Sequence, residues 1–327
     1  MIKDEVLTAL RESCGYVSGQ ELCERLLVSR TAVWKAVSRL KEEGYEIDSV
    51  PNRGYCLLTS PDAMTEAEIR NYLQTEIMAR KLVCFADTDS TNIQAKRLAE
   101  EGAPHGTLVC ADQQTKGRGR RGRAWDSPPG EAIYMSLLLR PDIRPEHASM
   151  LTLVMGMAVA DASNELMGQE LAGIKWPNDV VIKGRKASGT LTEMSAEMDG
   201  IHYVVIGTGI NVNTREFPKE LNQAISLRQA VGHSFRRAEL IALCMKYFEQ
   251  YYMLFEKTED LSLLLEEYDR LLVNRDQVVR VLEPGHEYTG TALGINAQGE
   301  LLVRCADGHT EAIYAGEVSV RGVYGYV

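Results

Sequence analysis

The sequence predicts an α+β chain of several domains: an N-terminal winged helix-turn-helix, a central mixed α/β domain and a small C-terminal SH3-like β-barrel. Three observations predict this. Residues 1–60 carry three helix signals followed by two short strand patterns; residues 64–272 mix capped helices with apolar strands; residues 273–327 change to short strands divided by turn dipeptides. A chain of 327 residues also exceeds one ordinary core and favours two or three domains.

In the first unit, Val6, Leu7 and Leu10 mark one amphipathic helix. Ser18-Gly19-Gln20-Glu21 has the form of a capping box opening a second, with Leu22, Leu26 and Leu27 on its apolar face. Ser29 can cap a third helix that turns Ala32, Val33, Ala36, Val37 and Leu40 inward. Its other face presents Arg30, Thr31, Trp34, Lys35, Ser38, Arg39 and Lys41, with four cations and no acid from Arg30 to Lys41. Residues 45–50 and 54–58 read as strands around the turn Pro51-Asn52-Arg53. Ser29, Arg30, Thr31, Trp34, Lys35, Arg39 and the wing-tip Arg53 are therefore the candidate DNA-binding residues. The bland alternative is a small docking domain whose basic face is merely solvated.

Thr59-Ser60-Pro61-Asp62 reads as a short linker, and Thr65-Glu66-Ala67-Glu68 as a second capping box. Beyond it, residues 149–167 suit a buried helix, 133–139 and 201–206 suit strands, and 237–272 a closing helical stretch. In the last part, 278–281, 288–295, 300–305 and 309–314 are strand-like, separated by turns at Pro284-Gly285, residues 296–299 and Asp307-Gly308.

Bulk properties exclude several classes. The formal net charge is -10, so any contact with nucleic acid must come from a local patch. No apolar run reaches the roughly 18 residues of a membrane span, and the first residues lack a signal-peptide pattern. Seven cysteines without a CxxC pair suggest reduced thiols in a cytoplasm. The six histidines show no metal-ligand spacing, which predicts no metal site.

Against this acidic background stands Lys116-Gly117-Arg118-Gly119-Arg120-Arg121-Gly122-Arg123, five cations in eight residues, followed by Trp125. Ordering about a dozen such residues costs on the order of 10–20 kcal/mol of backbone entropy, and charge-assisted hydrogen bonds return roughly 1.5–3 kcal/mol each. A multiply charged anion is thus the expected occasion for this loop to fold over a ligand. Lys175-Trp176-Pro177-Asn178-Asp179 forms a second dense cluster, read as a strand end and turn. Lys186 opens Lys186-Ala187-Ser188-Gly189, and Gly207-Thr208-Gly209-Ile210-Asn211 follows a strand. The latter is not a dinucleotide fingerprint, since Val212 stands where the third glycine belongs. Asp89-Ser90-Thr91-Asn92 precedes a helix at 93–100 and by itself suggests plain N-capping.

In combination and in this order, these motifs closely resemble the biotin–protein ligase family. With the winged helix in front, the resemblance is to those members that join ligase and biotin-operon repressor in one chain. It covers essentially the whole sequence and implies a central ligase domain related to class II synthetase-like folds. The implied chemistry couples biotin to ATP, assisted by Mg²⁺, giving biotinyl-5′-AMP. Biotin then passes to a lysine of a biotin carboxyl carrier protein domain. The other implied partners are operator DNA and a second copy of the chain in a homodimer, with no membrane.

By this resemblance Lys186, Arg118, Arg120 and Asp179 are the catalytic candidates. The biotin-binding set is Ser90, Thr91, Asn92, Gln114, Arg118, Gly119, Arg120, Lys186, Gly207 and Gly209. The adenylate-binding set is Arg118, Arg120, Arg121, Trp125, Lys175, Asn178 and Asn211. Gln113 stands beside Gln114, so either could serve; the family spacing points to Gln114. Thr190 departs from the aliphatic residue common at that position. Two other readings are a DNA-binding biotin sensor with little ligase activity and a lipoate-type ligase.

Overall fold

The computed structural model describes residues 2–13, 15–197, 200–283, 286–314, 319–322 and Tyr326. Two compact units result, residues 1–71 and 72–327. The expected turn at Pro284-Gly285 lies outside the described residues.

In the first unit, helices α1 (Ile2–Glu12), α2 (Gly19–Leu26) and α3 (Arg30–Glu42) precede the antiparallel hairpin β1 (Glu46–Val50) and β2 (Gly54–Thr59). Val6, Leu10, Leu22, Val33, Val37 and Leu40 close its core. Ala32 is only half-buried, one position off the inward face. Ser18 Oγ accepts from Glu21 N, but only this half of the expected capping box is present among the described residues. Leu27, expected on the apolar face of α2, is instead its exposed left-handed cap. A further helix, α4 (Glu66–Tyr72), begins at the second predicted box, where Thr65 Oγ1 accepts from Glu68 N. The Glu68 carboxylate turns away from the box to Arg11 and Tyr45, because a buried carboxylate gains more from a cation and a phenol than from a backbone amide.

The second unit is built on a seven-stranded mixed sheet. Its strands are β3 (Leu82–Thr88), β4 (Thr107–Gln114), β5 (Ala132–Leu139), β6 (Ala172–Lys175), β7 (Asp179–Ile182), β8 (Arg185–Glu197) and β9 (Gly200–Asn211). The spatial order is β3-β4-β5-β9-β8-β7-β6, with β3 and β4 parallel and every other pair antiparallel. Helix α5 (Thr91–Glu100) joins β3 to β4, and the buried helix α6 (Leu151–Met167) matches its sequence expectation.

Three expectations need correction. Strand β9 runs on to Asn211, so Gly207 and Gly209 lie within it, because pairing with β5 extends to Ala132↔Asn211. Asp179 opens β7 instead of closing a turn, since it pairs with Lys175 and Gly189. The stretch 237–272 is two helices, α8 (Arg237–Thr258) and α9 (Leu265–Leu271), with α7 (Leu227–Val231) before them. Glu259 ends α8 in the left-handed conformation.

The remaining strands form a five-stranded antiparallel sheet: β10 (Val278–Glu283), β11 (His286–Ile295), β12 (Leu301–Arg304), β13 (Thr310–Ile313) and β14 (Ser319–Gly322), ordered β13-β12-β11-β10-β14. Buried Trp176 ties this sheet to the central one: its indole Nε1 donates to Gly299 O at 3.0 Å, and its backbone N to Asn274 Oδ1 at 2.9 Å. No helix of the described residues is long and apolar enough to cross a membrane.

Candidate active site

A cavity of about 340 Å³ opens in the second unit, lined from the N-terminus of α5, the arginine-glycine loop, β8, β9, the turn at 176–178 and the start of β7. Its floor is built from hydrogen bonds between the N-terminus of α5 and neighbouring strands. Ser90 stands at the N-cap of α5 but makes no side-chain cap bond, against the plain-capping reading. The free Thr91 N–H is instead met by Gln114 Oε1 at 2.8 Å, and Gln114 Nε2 donates to Ser127 Oγ at 3.1 Å. Gln114, not Gln113, faces the cavity. The Ser136 hydroxyl lies 2.8 Å from Thr91 Oγ1 and 2.6 Å from Asn92 Oδ1.

Asn92 in turn donates to Glu193 Oε2 at 2.7 Å, and Lys96 Nζ lies 2.6 Å from Glu193 Oε1. Burial alone would raise the Glu193 carboxyl; the bonds from Lys96 and Asn92 outweigh it and hold the group below its usual range. Lys96 and Glu193 both line the cavity and were missed in the sequence. Lys96 could have been found one helical turn after Asn92, on the same face. Glu193 gave no signal in a strand of mixed polarity.

The two glycines of β9 are explained by close approach. A Cβ on Gly207 would lie 2.0 Å from Asn92 Oδ1, and one on Gly209 would lie 2.5 Å from the Trp125 ring. Only a bare backbone admits those side chains.

The arginine-glycine loop closes on itself as a small hairpin. Arg118 pairs with Ala124, Gly119 N donates to Arg123 O at 2.8 Å, and residues 120–122 make a single 3₁₀ turn with Arg121 at φ 58°. Arg120 Nη1 donates to Asn178 Oδ1 at 2.9 Å, while Asn178 Nδ2 donates to Thr190 O at 3.2 Å. Burial, with the neighbouring Arg121, pulls the Arg120 guanidinium below its usual value, and Asp179 opposes this. Thr190 serves Asn178 through its backbone, so the departure at that position spares this contact.

Lys186 is fixed through its backbone, which donates to Gln223 O at 2.7 Å and accepts from Ile225 N at 2.9 Å. Its ammonium lies 2.5 Å from Asp179 Oδ1 and 5.4 Å from the centre of the Trp125 ring. The second Asp179 oxygen accepts from the Tyr326 phenol, and Lys175 Nζ lies 4.0 Å over the Tyr326 ring. Tyr326 left no sequence signal, because it reaches the cavity from 147 positions beyond Asp179.

Of the residues predicted for this site, the structure brings Ser90, Thr91, Asn92, Gln114, Arg118, Gly119, Arg120, Arg121, Trp125, Lys175, Asn178, Asp179, Lys186, Gly207 and Gly209 to the cavity. Asn211 is the exception. It does not line the cavity; its Nδ2 donates to Lys186 O at 3.3 Å, so it holds the lysine's backbone. Seven cationic side chains line the cavity against two carboxylates, Asp179 and Glu193. Such a surplus suits a polyanion. On the first unit, Arg30, Thr31, Trp34, Lys35, Arg39 and Arg53 are all exposed; Ser29 caps α3, its Oγ accepting from Ala32 N at 3.2 Å.

Comparison with known proteins agrees along the chain. Residues 82–211 match the biotin/lipoate A/B protein ligase family, residues 3–56 an HTH domain, and residues 276–321 the biotin protein ligase C-terminal domain. The bifunctional ligase/repressor BirA of Bacillus subtilis (strain 168) is 41% identical over 310 residues, covering 93% of this chain and 94% of that protein. BirA of Escherichia coli (strain K12) is 32% identical, covering 96% of each. Among solved structures, a biotin protein ligase from Aquifex aeolicus in complex with biotin and ATP matches with a TM-score of 0.65 and 31% identity, over 74% of this chain and 99% of that one. With a cationic cavity in the second unit and a basic helix in the first, the chain belongs to the biotin–protein ligase family, among its bifunctional ligase/repressors.

Proposed function

We infer that this protein is an ATP-dependent biotin–protein ligase that also represses transcription through its HTH unit. The observation that carries the ligase reading is the cavity itself, where seven cations converge beside a floor of buried hydrogen-bonding groups. One end suits an uncharged polar ring, the other a polyphosphate.

In the first step the biotin carboxylate attacks the α-phosphorus of ATP. A new P–O bond forms, the bond to pyrophosphate breaks, and biotinyl-5′-AMP results. Arg118, Arg120 and Arg121 offset the repulsion between carboxylate and phosphates, and Lys186 stabilises charge at the reacting oxygens. In the second step a lysine amine of a biotin carboxyl carrier protein attacks the acyl carbon and AMP leaves. Asn92, Thr91 and Gln114 orient biotin, and Trp125 covers the adenylate. Asp179 is the carboxylate that would hold Mg²⁺: apart from Tyr326, its charge is met only by the Lys186 ammonium, 2.5 Å from Oδ1, among the contacts of the described residues. An ion held there would supply positive charge against the phosphates.

Sensing without catalysis would not need this many phosphate-binding cations, which favours the ligase reading over the sensor. The family matches at 3–56, 82–211 and 276–321 are compatible with a domain division at 1–60, 64–272 and 273–327; we propose the last as an SH3-like barrel, on its antiparallel strands, and the central one as related to class II synthetases. Mixing the protein with biotin, Mg-ATP and a carrier domain should yield biotinylated carrier and AMP. Absence of transfer would overturn the reading, and labelling with lipoate in preference to biotin would favour a lipoate-type ligase.

A further inference from the structure

Outside the active site, the hairpin between β12 and β13 gathers a mixed set of metal-binding groups. Cys305 N donates to His309 O at 2.8 Å, and Gly308 N donates to Cys305 O at 3.0 Å, closing a tight loop. On this loop one ligand atom each from Cys305, His309 and Glu311 lies within 4.8 Å of the other two. His309 Nε2 is 3.1 Å from Glu311 Oε1, while its Nδ1 pairs with Asp307.

That arrangement divides the two imidazole nitrogens between two tasks. Asp307 takes Nδ1 and fixes the ring, as carboxylates commonly do for a metal-bound histidine, and leaves Nε2 beside Glu311 Oε1. Around a zinc ion, sulfur, nitrogen and oxygen ligands sit at about 2.0–2.3 Å, hence roughly 3.3–3.8 Å from one another. Small rotations of these surface side chains reach that spacing.

A plain ion pair between His309 and the two carboxylates would account for three of the four groups, but not for the thiol. A divalent cation accounts for the thiol as well, since coordination deprotonates a thiol outright. Thiolate, imidazole and carboxylate together suit zinc better than the hard cations magnesium or calcium.

We propose that Cys305, His309 and Glu311 bind a zinc-class divalent cation, with Asp307 positioning His309 and water completing the coordination. On binding, the Cys305 sulfur gives its proton to solvent and bonds the ion. The site was invisible in histidine spacing because each ligand is of a different type and only one of them is a histidine.

The test uses the full-length chain without an affinity tag, stripped with a chelator and titrated with Co²⁺ and then Zn²⁺. One equivalent of Co²⁺ should produce a near-ultraviolet thiolate-to-cobalt band that Zn²⁺ abolishes. Cys305→Ser should lose the band, and His309→Gln should weaken Zn²⁺ binding at least tenfold. Asp307→Asn should weaken it about 10-fold through loss of ring orientation. Circular dichroism checks that each variant folds. Absence of the band from the unaltered chain, or its persistence in Cys305→Ser, overturns the proposal.

Discussion

At the scale of single residues, the site depends on atoms that are absent as much as on those present. Gly207 admits Asn92, whose amide is pinned by Ser136 and Glu193 and cannot yield freely. Gly207→Ala should therefore raise the biotin KM about tenfold, equivalent to about 1.4 kcal/mol, while circular dichroism stays unchanged. Steady-state transfer at varied biotin measures it. Glu193 supplies a pH dependence. Its carboxyl is held below the ordinary value of 4.5, so its contribution to stability is present above that value and lost as pH falls below it. Melting of the protein should be flat from neutral pH down to about 5 and then decline, with Glu193→Gln shallower through the acid limb. Of these residues, the motif carriers were legible in the sequence because charge and glycine content stand out against an acidic chain. Glu193, Lys96 and Tyr326 were not, since a lone Glu, Lys or Tyr acquires meaning only from what lies across the cavity.

At the scale of elements, helix caps and strand pairings decide which groups face the ligand. The N-terminus of α5 leaves its Thr91 N–H to Gln114, a cross-link from a neighbouring strand that no local pattern encodes. Helix α3 is the opposite case, because Ser29 satisfies its N-terminus locally. Ser29→Ala should cost about 1 kcal/mol of stability, and Ser29→Gly only a few tenths. Denaturant melts of the two variants give the comparison; equal losses would remove Ser29 from capping. Strand β9 shows where reading by element fell short: its apolar run ends at Ile206, but pairing with β5 continues through the polar, glycine-bearing stretch to Asn211. Hydrophobicity marks the buried part of a strand, whereas hydrogen bonding to a neighbour sets its end.

At the scale of the whole molecule, a chain of net charge -10 needs a local basic patch to hold DNA, and we propose the basic face of α3 and the wing for that contact. One such unit makes few phosphate contacts, so repression is proposed to need a homodimer. If adenylate binding favours that dimer, DNA and adenylate affinities must rise together. Sedimentation should show a larger mass with biotin and ATP than without. Arg39→Ala should lower DNA affinity and its salt slope by about one, leaving biotin transfer intact; identical masses, or a loss of transfer, would refute this division of labour.

The sequence by itself determined the winged helix, the α/β centre, the terminal strands and nearly all the cavity's cations, because each is written in local periodicity or in a dense motif. Only the tertiary structure decided that Gln114 serves Thr91, that Asn211 holds Lys186 from behind, and that Tyr326 meets Asp179. It also gathered Cys305, His309 and Glu311 around one point. The first three are relations between segments brought together by strand pairing and core burial, which sequence distance does not record; the last needs the hairpin to fold residues 305–311 back on themselves.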